Sequence, residues 1–362
     1  MKLQRVGYAA GIALTATLAL TACGSDNEAA GGGENVSSEN CVAGTIQAQG
    51  SSAQKNAMDE WIKAYQGQCS GAQINYNPTG SGAGIEAFIN GTADFSGSDS
   101  ALKEDEQPQA DAKCAGGQAL NLPMVTGPIA VVYNLEGVDG LQLSAPLLAK
   151  IFSDKIKTWN DPAIAAENQG AKLPSSAIQA VHRADESGTT DNFTKYLSKS
   201  DEADWTYGNA KAWKAPGGVG ATKSDGVASQ VKSTPGTISY VELSYAENSD
   251  LSMAKIKNGA GEYTELTGES AGKAVEGAKI VGTGDDLKLE LDYTTTEAGA
   301  YPIVLVTYEI VCSKGSPKAD AIKGFLTYTS SEAGQKELGD LGYAPLPESV
   351  RSKVEASVAN IS

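Results

Sequence analysis

The sequence has few of the residues that nucleic-acid and metal sites require. It carries 28 basic residues against 44 acidic ones, which gives a formal net charge of −16 at pH 7. A nucleic-acid backbone is bound by clustered Lys and Arg, so we expect no nucleic-acid partner. The chain has one histidine, His182, and its five cysteines include no CxxC pair. A metal site is therefore not predicted.

Two glycine-rich stretches come close to nucleotide-binding motifs but complete neither. Residues 80–84, GSGAG, lack the last spacing of the dinucleotide loop GxGxxG. Residues 268–273, GESAGK, are one residue short of a P-loop between the glycines, and no Ser or Thr follows Lys273. We therefore predict no cofactor. A secreted serine hydrolase that uses Ser187, with His182 as its base, is kept as a minor alternative.

The N-terminal residues have the parts of an export signal. Lys2 and Arg5 form a positive start, residues 6–20 form an apolar run that is short for a membrane-spanning helix, and small residues precede Cys23. This order is typical of a bacterial lipoprotein, so we expect a signal peptide over residues 1–22 and lipid on the Cys23 thiol. Residues 23–40 are rich in Gly, Ser and acidic residues, which predicts a flexible tether. The protein is then expected at the extracytoplasmic face of the bacterial cell membrane.

The four remaining cysteines predict two disulfides, because export leads to an oxidising compartment. They are Cys41, Cys69, Cys114 and Cys312, and three pairings are possible. Cys41 and Cys69 each lie just before a strand signal. If these strands are parallel neighbours, both cysteines lie at the same end, which favours Cys41 with Cys69 and leaves Cys114 with Cys312.

A unit of strand, small-residue turn and helix start recurs near the beginning of the chain. The turns are residues 50–53, 79–84 and 96–99, and the third leads into ALKEDEQ. In the first unit Ser51 or Ser52 can cap a helix with apolar residues at intervals of three and four. Those apolar residues are Ala57, Met58, Trp61, Ile62 and Tyr65. The repetition predicts an α/β architecture with parallel strands.

The stretch VHRADESGTTDNF, at 181–193, joins a strand signal to a helix signal. Its apolar spacing predicts a helix start at Ser187, where unpaired backbone N–H groups and the helix dipole attract anions. Arg183 adds a guanidinium that suits oxyanions. The plainer interpretation is that Ser187 or Thr189 caps the helix and that Arg183 is a surface residue.

Two long β-rich runs, 124–134 and 301–311, are predicted to cross between domains. Two crossings imply two lobes with one cleft, the layout of a hinged binding protein. Lobe I would comprise residues 41–125 and 301–362, and lobe II residues 126–300.

Segments spread over residues 45–360 are together similar to one family. They are GSSA, TGSGAG, DFSGSD, KIKTWNDPAI, HRADESGT, GTISYVELSYA, YPIVLVTYEIV and YAPLPESV, in the expected order. The chain resembles the substrate-binding protein of the bacterial phosphate-specific ABC transporter. The resemblance implies a two-lobed periplasmic-binding-protein fold of type II, with two mixed-sheet domains joined by a hinge of two crossing strands. It also implies a protein, not an enzyme, that binds inorganic phosphate with high affinity and delivers it to a membrane permease. A monomer is sufficient for such delivery, and we expect one.

The resemblance assigns eight residues to the phosphate. They are Ser52, Ala53, Ser81 and Asp99 from the first lobe, and Arg183, Ser187, Gly188 and Thr189 from the second. Asp185 is expected to orient Arg183. Glu186 carries a charge that would repel an anion, so its carboxylate must point away or lower the affinity.

Asp99 gives the expected site its selectivity. Phosphate near neutral pH keeps a proton that it can donate to a carboxylate, whereas sulfate is fully ionised and has no proton to donate. A buried Asp99 would therefore accept phosphate and reject sulfate. By itself Asp99 could also be a helix N-cap. The alternatives kept are another tetrahedral oxyanion as ligand and a surface lipoprotein without any ligand.

Overall fold

The computed structural model describes residues 40–362, so the expected signal peptide, Cys23 and nearly all of the tether lie outside the described part. Within it the chain forms fourteen strands and twelve α-helices. The strands are β1 Gly44–Gly50, β2 Ala72–Asn77, β3 Phe95–Ser98, β4 Ala119–Tyr133, β5 Gln142–Leu143, β6 Gln179–Arg183, β7 Val219–Ala221, β8 Thr237–Glu242, β9 Ser252–Met253, β10 Lys255–Lys257, β11 Tyr263–Thr264, β12 Lys279–Ile280, β13 Leu289–Glu290 and β14 Val304–Cys312. The helices are α1 Lys55–Gln68, α2 Ser81–Ile89, α3 Gln107–Lys113, α4 Ala145–Phe152, α5 Pro162–Glu167, α6 Gly188–Ser200, α7 Lys223–Ser233, α8 Leu243–Asn248, α9 Gly268–Glu276, α10 Ala319–Ser330, α11 Glu332–Lys336 and α12 Glu348–Ala359. In residues 40–362 no helix is both long and apolar enough to span a membrane.

The main sheet is mixed, as the resemblance implied. Its strand order is β2-β1-β3-β14-β4-β8-β6-β7, and β9 pairs with β4 outside this path. β1 pairs in parallel with β2 and β3, and β6 pairs in parallel with β7 and β8. The central pairs β3–β14, β14–β4 and β4–β8 are antiparallel. Two groups of parallel strands are thus joined through an antiparallel centre, and the predicted α/β architecture is confirmed.

The long strand β4 links the two groups. Its residues 119–128 pair with β14, and its residues 129–133 pair with β8. Every residue of β4 is buried, which explains why it is almost continuously apolar. Gly127 lets the Leu305 side chain approach closely, because a Cβ at this position would lie 2.7 Å from its Cδ1.

Separate apolar cores lie on the two sides of this centre. One contains Trp61 and Phe325 with other residues from both ends of the described chain, and the other contains Phe193 and Tyr240 with residues mainly from 129–305. A smaller cluster around Phe88 adds to the first side. The grouping follows the expected lobes, whose boundaries stay a prediction.

The structure contains both favoured disulfides. The Cα atoms of Cys41 and Cys69 are 5.0 Å apart, and those of Cys114 and Cys312 are 5.2 Å apart. The parallel pairing of β1 with β2 places the first two cysteines at the same end of the sheet. The second bridge joins the end of α3 to the end of β14.

Two of the expected helix starts are wrong. Neither Ser51 nor Ser52 caps α1, whose N-cap is Gln54, without a side-chain hydrogen bond. The third unit has no helix directly after Asp99, because α3 begins only at Gln107. Pro108 accounts for this start, since proline fits the first turn of a helix and not its interior. The Ser51, Ser52 and Asp99 side chains make tertiary contacts instead.

Candidate functional site

Three helix N-termini meet in the middle of the molecule. The backbone N–H of Gly188, the first residue of α6, donates to Oγ of Ser81, the first residue of α2, over 3.2 Å. The N–H of Ser224, near the start of α7, donates to Oγ of Ser52 over 3.3 Å. Helix starts carry unpaired N–H groups and the positive end of the helix dipole. Their convergence therefore favours an anion.

Glycines allow this close approach. A Cβ on Gly188 would lie 2.5 Å from Cβ of Asp99 and 2.7 Å from Oγ of Ser81. A Cβ on Gly84 would lie 2.5 Å from Cα of Gly50. The turn TGSGAG is thus rich in glycine because α2 packs directly on β1, and not because it binds a dinucleotide.

Asp99 is a buried carboxylate surrounded by hydroxyl donors. Its Oδ1 accepts from Ser51 Oγ over 2.5 Å and from Thr307 Oγ1 over 2.8 Å, and its Oδ2 accepts from Ser81 Oγ over 3.1 Å. Burial raises the pKa of Asp99 to about 6, and the nearby charge of Glu242 adds to this rise while the three hydroxyls oppose it. Near neutral pH the carboxylate can therefore accept a hydrogen bond.

Arg183 lies at the end of β6 and is only 3% exposed. Its Nε donates to Oδ1 of Asp185 over 2.8 Å, and a second bond of 2.5 Å reaches Oδ2. Its third nitrogen faces the hydroxyls of Ser224, at 3.3 Å, and Thr189, at 3.5 Å. Burial alone would raise the pKa of Asp185, but the hydrogen bonds and charge of Arg183 outweigh it and lower that pKa. Asp185 thus orients Arg183 as expected, and the guanidinium is not a surface group.

Ser187 starts α6 as predicted. Its Oγ accepts from the N–H of Thr190 over 3.2 Å, which makes it the N-cap. A hydroxyl that accepts in this way still has its own proton to donate, so the cap and a binding role are compatible. Its backbone N–H already donates to the carbonyl oxygen of Lys211.

The remaining predicted residues lie close to these groups. Oγ of Ser52 is 3.0 Å from Oγ of Ser224, and the N–H of Ala53 donates to Oγ of Ser51 over 3.0 Å. All eight residues assigned by the resemblance are buried. Glu186 is exposed, and its side chain lies against Gly82 at the start of α2.

Sequence reasoning missed four polar side chains of this region. They are Ser51, Thr307, Ser224 and Glu242, each at most 1% exposed. Ser51 was considered only as a helix cap. Thr307 and Glu242 lie in apolar strand runs, which hid them. A polar residue inside such a run was the signal available, since burial of a polar group demands a partner.

The hydrolase alternative has no support in the geometry. The His182 ring stacks on Trp213 with centroids 4.9 Å apart, and its Nδ1 lies 2.9 Å from the carbonyl of Arg183. The pattern GxSxG, which is typical of the nucleophile turn in serine hydrolases, occurs in the sequence at 268–272. There Ser270 lies inside α9 and forms a capping box with Thr267, so it is not a nucleophile at a sharp turn. Within residues 40–362 no cluster of His, Cys, Asp or Glu could hold a metal ion.

A second buried carboxyl, Glu309 on β14, lies behind the site. Its nearest hydrogen-bond donor is the Gln54 side chain, which does not reach good hydrogen-bond geometry with either oxygen. Burial raises the pKa of Glu309 to about 8, Gln54 opposes this rise, and the charge of Asp99 adds to it. The folded state therefore keeps this proton at pH values where the unfolded chain has lost it. The resulting stabilisation is complete below the ordinary Glu range and is lost as pH rises towards 8.

Replacement of Glu309 by Gln should remove this pH dependence. We expect Glu309→Gln to gain stability over the parent between pH 5 and pH 8.5, by on the order of 3 kcal/mol. Urea unfolding at several pH values measures this, with Glu290→Gln, at an exposed position, as the control. If the stabilities of both variants change with pH in parallel with that of the parent, Glu309 is not buried as a neutral acid.

Comparison with known proteins agrees with the fold. Residues 35–333 match the family model described as a PBP superfamily domain, so the chain belongs to that superfamily. The curated relatives include phosphate-binding protein PstS 3 of Mycobacterium tuberculosis, which is 44% identical over 100% of both chains. Phosphate-binding protein PstS 2 of the same species is 41% identical over the same coverage, and PstS of Xylella fastidiosa is 35% identical over 98% of both. The chain is thus a member of the PstS family.

Solved structures show the same fold at lower identity. A high-affinity periplasmic phosphate-binding protein, PfluDING, solved with phosphate bound, has a TM-score of 0.69 at 21% identity and covers 86% of this chain and 93% of its own. The phosphate-binding protein from Stenotrophomonas maltophilia has a TM-score of 0.67 at 19% identity, with the same coverage. The binding-protein fold class expected from the sequence is confirmed.

Proposed function

We propose that this protein binds inorganic phosphate between its lobes and delivers it to the permease of an ABC transporter for import. One observation carries the proposal. A buried carboxylate, Asp99, lies among hydroxyl donors where three helix N-termini and Arg183 meet. Such a place suits a ligand that is an anion and also carries a proton. The names of the curated relatives support the same ligand.

The proposed ligand contacts use groups that now bond to one another. Ser52 and Ser81 can turn their hydroxyls from protein partners to phosphate oxygens, and Arg183 can do the same with the nitrogen that faces Thr189. Thr189 contributes its hydroxyl oxygen to the proposed set. The backbone N–H groups of Ala53 and Gly188 and the Ser187 hydroxyl complete the proposed set. A protonated phosphate oxygen donates to Asp99. These exchanges conserve hydrogen bonds, so binding does not leave buried polar groups unpaired.

Opening between the two lobes would release the ligand. The lobes proposed are residues 41–125 with 301–362, and residues 126–300, and they bend near residues 123–128 and 300–306. Such a motion would break several contacts that join the two proposed lobes. The Asn192 amide donates to the Asp99 carbonyl over 2.6 Å, and Ser100 donates to Asp191 over 2.7 Å. The buried Lys211 pairs with Glu106 over 2.7 Å.

An opening on one side of the site gives a route to it. A cavity of about 1270 Å³ begins at Asp99, and four lysines are among its lining residues. They are Lys103, Lys195, Lys199 and Lys288. Four carboxylates, Asp99, Glu104, Asp191 and Glu290, line the same cavity, so its charged groups balance while the whole chain carries a net charge of −16.

The wider setting belongs to the same proposal. The protein acts as a monomer, held by lipid on Cys23 at the extracytoplasmic face of the membrane. It is not an enzyme, and it needs neither a cofactor nor nucleic acid. Its partners are phosphate and the permease subunits. The lipoprotein pattern of the N-terminus and the PstS names of its relatives support this setting.

A panel of anions tests the proposal. Phosphate and arsenate, which both keep a proton near neutral pH, should raise the melting temperature of the purified anion-free protein, since ligands that bind only the folded state stabilise it. Sulfate and molybdate should leave it unchanged, and a phosphoester should not be hydrolysed. A shift with sulfate equal to that with phosphate, or no shift with any anion, contradicts the proposal.

A further inference from the structure

Glu242 is a buried carboxylate that local structure does not explain. It ends β8 and occupies the N-cap position of α8, but its side chain makes no capping hydrogen bond. The residue is 0% exposed, and its Oε2 has no hydrogen-bond partner among the described residues. A carboxylate charge that is buried in this way is costly unless another group forms a hydrogen bond with it.

That other group is Thr189. The Thr189 hydroxyl donates to Oε1 of Glu242 over 2.5 Å. A hydroxyl has one proton and two lone pairs. When the proton is directed to Glu242, Thr189 can offer only its lone pairs to other groups. One of them faces Arg183, whose guanidinium nitrogen lies 3.5 Å away. The other is left for a ligand that donates a proton.

We propose that Glu242 is a positioning residue that makes Thr189 a hydrogen-bond acceptor and so selects the protonation state of the bound phosphate. The inference rests on the function proposed above. Thr189 and Asp99 then both accept from the ligand, which matches monobasic phosphate, because that ion carries two protons. A neutral amide at position 242 would donate to Thr189, and the Thr189 proton would turn to the ligand. The site would then match dibasic phosphate.

The groups that act on Glu242 come from four segments. They are Asp99 after β3, Arg183 on β6, Tyr245 on α8 and Tyr343 after α11. Burial raises the pKa of both tyrosines well above the neutral range, and Asp185 with Glu242 raises that of Arg183 against the effect of burial. Asp99, with a pKa of about 6, is the neighbour that titrates nearest to neutrality. Asp99 is still partly protonated at pH 6.5, and Glu309 behind it has a pKa of about 8. Both groups are present in the parent and in a Glu242 variant, so the ratio of the two affinities is the quantity to compare.

Phosphate affinity as a function of pH tests the inference. In the parent protein the association constant should fall as pH rises through the second ionisation of phosphate, by up to about tenfold per pH unit above it. In Glu242→Gln it should stay level or rise. The ratio of the variant to the parent should therefore grow at least tenfold between pH 6.5 and pH 8.5, as measured by calorimetric titration.

Variants of Thr189 separate positioning from a direct charge effect. Thr189→Ser keeps the hydroxyl and should keep the parental pH profile, whereas Thr189→Val should bind more weakly with a flatter profile. In a Thr189→Val background, Glu242→Gln should leave the profile unchanged. The inference is overturned if Glu242→Gln changes the pH profile of phosphate affinity equally in the parent and in the Thr189→Val background. It is also overturned if the profiles of Glu242→Gln and the parent are parallel.

The variants Thr189→Ser and Thr189→Val test the inference even if Glu242→Gln does not fold. A Thr189→Val profile as steep as that of Thr189→Ser then overturns the inference. A folded parent protein that binds no phosphate at any pH overturns the proposed function itself, which is a different result from binding with an unchanged profile.

Discussion

Arg183→Gln should lower phosphate affinity by at least about 25-fold. The guanidinium is buried, and the bidentate contact with Asp185 fixes its direction. Removal of one partner from a buried, hydrogen-bonded charge pair costs roughly 2–5 kcal/mol, and each 1.4 kcal/mol is tenfold in affinity. Lysine should not restore the affinity, because one ammonium cannot hold Asp185 through two bonds and face the ligand as well.

The described chain offers a matched control for this loss. Arg351 on α12 also pairs with a carboxylate, that of Glu355, one turn along the same helix. Arg351→Gln removes the same charge away from the site and should leave the affinity unchanged. Calorimetric titration of both variants gives the comparison. If Arg183→Gln binds phosphate as tightly as Arg351→Gln, Arg183 is only a structural group.

Asp99→Asn should lose much of its selectivity for phosphate and should bind sulfate. The carboxylate can only accept, so it needs the proton that phosphate carries. An amide in the same place can donate to a fully ionised oxygen. Sites that pair with a ligand hydrogen discriminate by factors of about 10⁴ to 10⁵, so we expect the ratio of phosphate to sulfate affinity to fall by at least about 10³.

The pH dependence of sulfate binding gives a second measure of the same effect. The pKa of Asp99 is raised to about 6, so the residue gains a proton as pH falls through 6. The protonated acid can donate, and sulfate binding by the parent protein should increase from pH 7.5 to pH 5. Asp99→Asn should bind sulfate equally over this range. Asp94→Asn, just before β3 and paired with Lys318, serves as the control and should behave like the parent. Constant exclusion of sulfate by Asp99→Asn would contradict this account of selectivity.

The sequence was sufficient where a local signal decides the structure. Three correct predictions depend on spacing and on residues a short distance apart. They are the start of α6 after Ser187, the parallel strands before the small-residue turns and the pairing of Cys41 with Cys69. The two long apolar runs form the paired strands β4 and β14, and β4 is continuous through Gly127 and Pro128.

Local signals misled where tertiary contacts compete with them. Ser51 and Ser52 have the composition of a helix cap, but their hydroxyls bond to Asp99 and Ser224. Asp99 likewise has the appearance of a cap. It instead accepts from Thr307, whose position 208 residues further along the chain cannot be inferred from spacing. Functional sites are where such departures from local preference are expected.

Glu242 shows the same limit in a stronger form. It lies in the apolar run TISYVEL, within the family-like segment GTISYVELSYA, and no charge partner is nearby in the sequence. Only the fold brings it to Thr189, which comes from a different strand-helix unit. A buried acid within a strand was the one signal present, and it gave no indication of which hydroxyl the acid would orient.

Calorimetric titration of the anion-free protein at pH 7.5, first with sulfate and then with phosphate, tests the central claim most directly. We predict no heat of binding with sulfate, followed by tight binding of one phosphate per chain that prior sulfate does not weaken. Silence with phosphate in a protein shown to be folded and free of bound anion would contradict the claim. So would sulfate binding as tight as that of phosphate, because the Asp99 carboxylate would then have no part in the choice of ligand.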